Sequence, residues 1–557
     1  MNVRATIEKS ISAALTRLGV ETPKVSLDLT GDLSHGDYAT SAALAYAKEF
    51  NMAPRVLAEK LVEMMGEIAG VTSIDIAGPG FINFSVDPKI IWANLESGRS
   101  EPDMWGGNPS LIGKKIVVEY TDPNPFKEFH IGHLVTNSIG ESLSRLVTFS
   151  GAEVRRANYQ GDVGRHVARA IWGLMQAGGS AGDVKALGRA YAAGAAADID
   201  DSPAKKEITD INKKVYDRSD TKINELYDEG RKASLDHFEE LYALLGTKFD
   251  FYFFESETGP VGKQIVEMHI DDGIFKKSDG AVVYEGEKHG LHTRVFLNSE
   301  GLPTYEAKEL GLSKLKHEKY AYDTSIIITA NEVNEYFKVL LAAMGEIFPE
   351  LAAKTKHVSH GMMRLPEGKM SSRTGNVVTG ESLLNDLVIA AKERAALSRA
   401  DDIEQLARDV AVAAVKFQIL KGGTGKDIIF DRERALALEG DSGPYLQYTH
   451  ARTCAIIEKA VASNVVVSID TTAAVSDLAR LTARFQDIVL RAQEDLEPHL
   501  VATYLINLAA AFNSWYAQEQ ILDGTPAAAH KVAIVDIVRQ TLKNGLWLLG
   551  IPAPKKM

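Results

Sequence analysis

Cysteine is almost absent from this chain: Cys454 is the single one among 557 residues. One cysteine excludes an intramolecular disulfide framework, and because Cys454 falls in a helical pattern we expect a small core residue rather than a nucleophile. Long apolar runs are absent too, since none approaches the ~18 to 20 residues that span a bilayer. The first residues are amphipathic and include Glu8, unlike a signal segment. These absences predict a cytoplasmic protein.

An excess of positive charge is also missing. The chain has 62 Lys and Arg against 75 Asp and Glu, a formal net charge of −13, which argues against generic nucleic-acid binding. A folded RNA can still be gripped by shape and local basic patches, for which paired cations at 155–156, 205–206, 213–214 and 555–556 are candidates. Most such pairs are solvated surface, so we expect any RNA binding to be discriminating and salt-sensitive.

Length and patterning predict several domains. With 45% hydrophobic and 25% charged residues the composition is globular, and the length suggests about three or four domains. Residues 1–105 predict a small α+β domain that includes a helix over 39–50. Residues 106–395 predict an α/β unit, interrupted by a helical, charge-rich insertion at about 182–245. Residues 396–557 carry apolar stripes at helical spacing and predict an all-α domain.

The α/β unit contains a βαβ pattern. The β-branched run Lys115–Val118 predicts a buried parallel strand, and apolar residues at three- and four-residue spacing then predict a helix that ends near Gly151. Residues 153–157 predict the next parallel strand. Farther on, 324–329 predicts another buried strand, with Asn331 as the N-cap of a helix. Ligands are expected at the carboxyl ends of these strands.

The sequence His130-Ile131-Gly132-His133 falls at the N-terminus of the first predicted helix. Unpaired backbone N–H groups and the positive dipole end favour the phosphates of a nucleotide there. The two imidazoles can donate hydrogen bonds to phosphate oxygens, and Gly132 lets a base and ribose approach the backbone. The stretch therefore indicates a nucleotide site.

A metal half-site is the alternative interpretation of His-x-x-His, which recurs at His289/His292 and His357/His360. No Glu follows in the H-E-x-x-H manner, and one cysteine does not complete a structural zinc centre. We therefore expect no protein-held metal.

A second stretch, Glu367 to Asn376, reads E-G-K-M-S-S-R-T-G-N. Its flanking glycines, hydroxyls and cations are typical of a phosphate loop, although alone such a loop is more often a solvated turn. Paired with H-I-G-H, it resembles the two signatures of class I aminoacyl-tRNA synthetases.

The finer resemblance is to the arginyl-tRNA synthetase family, and it covers nearly the whole chain. The similar stretches are, in the family's order, G-D-Y-A-T-S-A-A-L at 36–44, G-P-G-F-I-N-F at 78–84, P-N-P-F-K-E-F-H-I-G-H at 123–133, G-K-M-S-S-R-T-G-N at 368–376, D-S-G-P-Y-L-Q-Y-T-H-A-R at 441–452 and the ending L-L-G-I-P-A-P-K-K-M at 548–557. The resemblance implies a tRNA-elbow-binding domain at 1–105, a Rossmann-like catalytic domain at 106–395 and an anticodon-binding bundle at 396–557.

The resemblance also implies the reaction. L-arginine would attack the α-phosphorus of ATP, with Mg²⁺ accompanying the nucleotide, to give arginyl-adenylate and pyrophosphate. The arginyl group would then pass to tRNA(Arg). Neither step needs an enzyme nucleophile, because positioning and neutralisation of charge carry the rate. We expect a monomer.

Site residues follow from matching positions. Those expected at ATP are His130, Gly132, His133, Gly161, Asp162, Gly164, Lys369, Met370, Ser371, Ser372 and Arg373. Those expected at the arginine substrate are Glu119, Asn124, Tyr305 and Glu309, with Tyr305 and Glu309 at i and i+4 of one helix face. Paired carboxylate acceptors beside an aromatic ring suit a guanidinium.

The chain departs from the family pattern at three places. Glu309 stands where the family usually has Asp, and Val333 stands where Gln is expected. The second lysine of the usual K-M-S-K-S loop is replaced by Ser372. The resemblance suggests that Lys127 supplies the missing charge, and the alternative is that Lys369 with Arg373 suffices.

Three other functions stay open at this point. A nucleotidyltransferase or amide ligase would keep both signatures but lack a helical C-terminal third. A non-catalytic tRNA-binding paralogue would lose the histidines, which this chain retains. A class I synthetase of another amino-acid specificity is the nearest rival.

Overall fold

The structure, a computed structural model, describes residues 2–200, 202–364, 366, 379–395 and 398–557. The chain divides into two units. The first comprises Met1–Gly106, Arg452–Ile488 and Asn507–Asn544, and the second comprises Gly107–Ala451, Val489–Ile506 and Gly545–Met557. Among the described residues, no helix combines the length and apolar character needed to cross a membrane.

Residues 2–106 form an antiparallel sheet with helices, and the strand order is β1-β2-β4-β3. The elements are α1 (Val3–Arg17), β1 (Asp28–Leu29), β2 (Tyr38–Thr40), α2 (Ala42–Tyr46), α3 (Pro54–Met65), β3 (Val71–Ala77), β4 (Phe81–Val86) and α4 (Pro88–Ser100), with 3₁₀ turns at Leu33–His35 and Pro102–Met104.

Residues 107–435 contain both strands and helices. The elements are β5 (Lys115–Glu119), α5 (Ile131–Phe149), β6 (Glu153–Gln160), α6 (Arg165–Ala177), α7 (Val184–Ala197), α8 (Pro203–Asp217), α9 (Thr221–Leu245), β7 (Phe251–Phe254), α10 (Glu255–Met268), β8 (Lys276–Ser278), β9 (Ala281–Tyr284), β10 (Arg294–Leu297), α11 (Tyr305–Lys319), β11 (Thr324–Ala330), α12 (Asn334–Ile347), α13 (Pro349–Lys354), β12 (Thr355–His360), β13 (Met363–Arg364), α14 (Gly380–Ala395), α15 (Ile403–Leu420), β14 (Ile428–Ile429) and α16 (Arg432–Ala435), with 3₁₀ turns at Gly286–His289 and Asn331–Val333. The last part of the chain is helical: α17 (Gly443–Ala462), α18 (Asp477–Ala483), α19 (Phe485–Glu494), α20 (His499–Gln518) and α21 (Ala527–Leu548).

A five-stranded parallel sheet in the order β12-β11-β5-β6-β7 forms the centre of the second unit. Strand β5 is buried along Ile116, Val117 and Val118, as its β-branched composition predicts for a strand covered on both faces. In a parallel sheet the carboxyl ends of all strands meet at one edge, which here includes Glu119 and Gln160. The predicted Rossmann-like α/β fold with a helical C-terminal part and an N-terminal α+β part is confirmed.

Two local predictions are wrong. The stretch 39–50 is not one helix, because Tyr38–Thr40 pairs as a strand with β1 and β4 and only Ala42–Tyr46 is helical. Pairing on both edges outweighs helix propensity there. Asn331 is not an N-cap: it opens a 3₁₀ turn, and α12 begins after Val333 with no side-chain cap.

The first unit joins N-terminal and C-terminal parts of the chain. Arg480 binds Asp37 at 2.8 Å, and Trp105 Nε1 donates to Thr541 Oγ1 at 2.8 Å. The predicted domain boundaries at 105 and 395 stay predictions.

Candidate active site

The first signature stretch forms a tight turn at the start of α5. His130 is the N-cap residue, and its backbone N–H donates to His133 Nδ1 at 3.2 Å. The two rings stack with their centroids 3.6 Å apart. Because His133 Nδ1 accepts this bond, the proton of the neutral ring lies on Nε2, which can donate outward.

Both imidazoles are neutral at physiological pH. Burial, and then the nearby Lys127 ammonium, lower the pKa of His130 to about 4. Burial and the neighbouring His130 and Lys127 hold the pKa of His133 well below its usual range. The turn therefore offers hydrogen-bond donors without adding charge, and the positive charge beside it comes from Lys127.

Lys127 lies in the loop of residues 124–130 that leads into α5, and its N–H donates to Asn124 O at 3.2 Å. Burial, followed by the charge of Arg169, lowers the pKa of the Lys127 ammonium. This ammonium also depresses the pKa of His166, which burial lowers to about 3. The Lys127 charge therefore lowers the pKa of three imidazoles.

His166 is a site residue that the sequence analysis missed. Its Nε2 lies 2.8 Å from Gly161 O. It follows Gly164 by two positions in Q-G-D-V-G-R-H, and this closeness to the predicted positions Gly161, Asp162 and Gly164 was an available signal.

Gly161 and Gly164 are needed for close approach and for an unusual backbone, respectively. Gly161 N–H donates to Asn124 Oδ1 at 3.1 Å, and a Cβ on Gly161 would lie 2.4 Å from that oxygen. Gly164 precedes α6 with φ of 125°, a conformation that favours glycine. Both glycines follow the carboxyl end of β6, and Gly161 lies beside Asn124 of the 124–130 loop.

Asp162, predicted to bind the nucleotide, is fully buried with its carboxylate already occupied. Oδ2 accepts from Tyr227 OH at 3.1 Å and from Arg231 Nε at 3.0 Å, both on α9. The N–H and Oγ of Ser256 donate to the same carboxylate at 2.9 and 2.7 Å. These four donors tie the insertion to α10, so the geometry favours a positioning role for Asp162.

Lys369, Met370, Ser371, Ser372 and Arg373 of the second signature lie outside the described residues. The residues beside that stretch are informative. Strand β13, which precedes the second signature in the chain, pairs with β14. After the second signature, Thr379 forms a bridge with His130, and Gly380 N–H donates to Phe129 O at 2.7 Å. The chain that follows the second signature thus lies against the first.

The predicted arginine contacts begin at Glu119, the last residue of β5. Its Oε2 lies 2.6 Å from Lys316 Nζ on α11, and both side chains are buried. Glu309 lies on the same helix and is 9% exposed, and its Oε2 has no hydrogen-bond partner among the described atoms. Burial, and then the Glu119 charge, raise the pKa of Glu309 well above its usual range.

Asp122 adds a carboxylate that the sequence analysis did not select. It has a left-handed φ of 47° and accepts the N–H of Tyr159 at 2.7 Å. Burial and the charge of Glu119 raise its pKa well above the usual range. Its place three residues after β5, immediately before the matched stretch 123–133, was an available signal.

The surroundings of Glu309 are acidic on balance. Glu119, Asp122 and Glu255 raise its pKa, and Lys316 opposes them. Glu255 in turn holds Lys308, with Oε2 2.5 Å from Nζ. An unpaired buried oxygen in such a cluster fits a cationic ligand that can donate paired hydrogen bonds.

Tyr305, Asn124 and Val333 differ in what they offer. Tyr305 begins α11 and is 66% exposed, with its ring centroid 5.5 Å from Lys308 Nζ. Asn124 Oδ1 accepts a hydrogen bond from Gly161 N–H. Val333 is half-buried and packs against the apolar cluster that includes Phe337.

The other His-x-x-His pairs engage protein groups. His289 Nε2 lies 3.0 Å from Glu346 Oε1, and His357 Nε2 lies 2.7 Å from Thr329 Oγ1. His360 lies between Thr136 Oγ1 at 3.0 Å and Gly361 O at 2.8 Å. Across the described ranges, no group of three or more His, Cys, Asp or Glu side chains is arranged to hold a metal ion.

Family models match most of the chain. The model described as tRNA synthetases class I (R), catalytic domain, matches residues 107–432. The Arginyl tRNA synthetase N terminal domain model matches 5–86, and the DALR anticodon binding domain model matches 446–557.

Individual relatives are similar to this chain over nearly its full length. The arginine–tRNA ligase of Clostridium botulinum is 30% identical, with 97% of this chain and 98% of the relative covered. That of Clostridioides difficile is 29% identical over 100% of this chain and 99% of the relative. The arginyl-tRNA synthetase structure from Thermus thermophilus has a TM-score of 0.79 at 24% identity over 100% of both chains, which supports the fold. The chain therefore belongs to the arginyl-tRNA synthetase family of class I aminoacyl-tRNA synthetases.

Proposed function

We propose that this protein ligates L-arginine to tRNA(Arg) with ATP, through an arginyl-adenylate and with release of pyrophosphate and AMP. The observation that supports arginine as the substrate is the unpaired Glu309 Oε2 within a cluster of buried carboxylates. A guanidinium brings one positive charge and paired donors to that oxygen.

The adenylate step would occur between this cluster and the start of α5. His133 Nε2–H and the first backbone N–H groups of α5 would donate to phosphate oxygens, with His130 beside them, and Gly132 would face the nucleoside. Lys127 would supply positive charge as the pentavalent phosphorus forms. The enzyme provides no nucleophile, so its contribution is orientation and electrostatic stabilisation.

Mg²⁺ would arrive as a ligand of the ATP phosphates. Near the site, Glu119 and Glu255 pair with lysines and Asp122 accepts a backbone N–H, which fits substrate binding better than metal ligation. A cytoplasmic location and a monomeric state remain predictions.

Pyrophosphate exchange tests the function and its nearest rival. Each amino acid is tested in turn, with and without cognate tRNA. Exchange of label between pyrophosphate and ATP should occur with L-arginine alone, and only when cognate tRNA is present. Robust exchange with another amino acid would establish a different specificity. No exchange with arginine plus cognate tRNA would indicate a non-catalytic paralogue.

A further inference from the structure

The helical insertion, which the proposed chemistry leaves without a role, touches the loop that carries Lys127. The Lys127 Nζ lies 5.3 Å from the centroid of the Tyr191 ring on α7. One turn earlier on α7, Gly188 faces Glu128, and a Cβ on Gly188 would lie 3.1 Å from Glu128 Cγ. Helix α7 therefore contacts the loop at two consecutive residues.

A second helix of the insertion holds the residue before Lys127. Phe126 has a left-handed φ of 68°, which is uncommon for a bulky residue. Its N–H donates to Ser234 Oγ on α9 at 3.0 Å, and its ring stacks on Tyr227 with centroids 6.1 Å apart. Gly230 makes room for that ring, since a Cβ there would lie 2.4 Å from Phe126 Cε1. The strained backbone at 126 is thus stabilised by α9.

Helix α7 is itself fixed against α6 by close backbone packing. A Cβ on Gly173 would lie 2.2 Å from Ala190 O, and a Cβ on Gly194 would lie 2.1 Å from Arg169 O. At the end of α7, Asp198 binds Arg169 at 2.6 Å and also pairs with Arg165. Because Ala190 precedes Tyr191, this packing sets the position of the ring.

An aromatic ring is a suitable partner for a lysine that must act on phosphate. A Lys side chain has large rotamer freedom, and a carboxylate that restrained it would also neutralise its charge. A ring face attracts the ammonium through its quadrupole and leaves the charge in place. Tyr191 can therefore limit where Lys127 points without consuming its charge.

We propose that the insertion positions Lys127 for adenylate formation, with Tyr191 on α7 and Ser234 on α9 as positioning residues. This inference rests on the proposed function and on the role proposed for Lys127. The insertion is then part of the catalytic apparatus rather than an accessory helical module.

Single-turnover adenylate formation, in the full chain with cognate tRNA, tests the proposal. Tyr191→Leu should lower the rate about ten-fold, as expected for loss of a desolvated cation–π contact, while the KM values for ATP and arginine stay within about two-fold. Tyr191→Phe keeps the ring and should restore most of the rate. Arg189→Leu, on an exposed position of the same helix, is the matched control and should be near wild type.

Double variants separate positioning from general damage. If Tyr191 acts through Lys127, Tyr191→Leu should cause no further loss in a Lys127→Ala background. Ser234→Ala, which removes the acceptor of Phe126 N–H, gives a second route and should behave likewise. Circular dichroism and melting curves identify any variant that fails to fold, in which case the other one decides.

The outcomes are distinct. Equal loss from Tyr191→Leu with and without Lys127 would overturn positioning, and so would a near-wild-type Tyr191→Leu in an enzyme that Lys127→Ala cripples. A near-wild-type Lys127→Ala would remove the role of Lys127 and this inference with it. Arginine-dependent exchange by the wild-type chain is measured separately, so failure of the proposed function is recognised independently.

Discussion

Glu119 and Lys316 form a buried ion pair, with 2.6 Å between Oε2 and Nζ and side chains only 2% and 1% exposed. The charge of Lys316 is therefore engaged by Glu119, while Glu309 on the same helix keeps an unpaired oxygen. We therefore propose different tasks for the two carboxylates that resemblance assigns to one substrate. Glu309 would accept hydrogen bonds from the guanidinium, and Glu119 would compensate the charge of Lys316 and raise the pKa of Glu309.

Glu309→Gln should raise the KM for arginine far more than the KM for ATP. A buried guanidinium loses a charged acceptor worth about 1.5 to 3 kcal/mol, roughly a ten- to hundred-fold effect. Steady-state kinetics with each substrate varied in turn measures the two constants. Equal effects on both would place Glu309 outside the amino-acid pocket.

Glu119→Gln should lower thermal stability more than it alters ATP binding. Removing one partner of a buried pair leaves Lys316 uncompensated, which costs about 3 kcal/mol or more. Glu318→Gln is the matched control, because Glu318 pairs with Lys314 on the exposed side of α11. If the melting curves of Glu119→Gln and Glu318→Gln coincide, Glu119 does not have the stabilising role inferred from its ion pair with Lys316.

Arginine binding should release a proton. Burial and Glu119 raise the pKa of Glu309, so below that raised pKa the empty protein holds a proton there, which a bound guanidinium would displace. The arginine Kd should therefore fall as pH rises from the ordinary carboxyl range toward that raised pKa. Since the folded state binds this proton more tightly than the unfolded chain, the empty protein should lose stability over the same window.

Calorimetry detects that proton directly. Binding enthalpies measured in buffers of different ionisation enthalpy should differ, and Glu309→Gln should remove the difference if it still binds. Titratable groups that interact with Glu309 include Asp122, Glu119, Glu255, Lys316, Tyr159 and Tyr336. Identical enthalpies in all buffers for the wild-type protein would refute proton release.

Lys127→Ala should lower the single-turnover rate of adenylate formation by ~10²-fold or more and leave ATP affinity comparatively intact, as for a contact strongest in the transition state. The comparison is Arg373→Ala. If Arg373→Ala is crippled and Lys127→Ala is near wild type, the missing loop lysine is replaced by Arg373.

Asp162→Ala should destabilise the fold. It leaves Arg231 and the N–H of Ser256 without their acceptor, a loss of about 3 kcal/mol or more. Asp228→Ala provides the control, since Asp228 binds Arg218 at the surface. A melting temperature below that of Asp228→Ala, with an unchanged KM for ATP, would support the positioning role. A raised KM for ATP at normal stability would instead indicate that Asp162 binds the nucleotide.

Local patterns were sufficient where one strong rule decided the structure. The run at 115–118 became β5, 153–157 became part of β6, and the helix predicted to end near Gly151 ends at Phe149. They failed at 39–50, where the strand Tyr38–Thr40 depends on β1 and β4. Strand pairing joins residues distant in sequence, so no local window contains that information.

The sequence by itself determined the family, the parallel sheet and the position of H-I-G-H at a helix N-terminus, because periodicity and ordered motifs are properties of the chain. Tertiary structure decided the rest. Distances between separate elements decided three features of the site. The Asp162 carboxylate binds donors on α9, Glu119 is paired while Glu309 is not, and Tyr191 lies beside Lys127. Charge compensation and burial act through space, and residues far apart in sequence supply them.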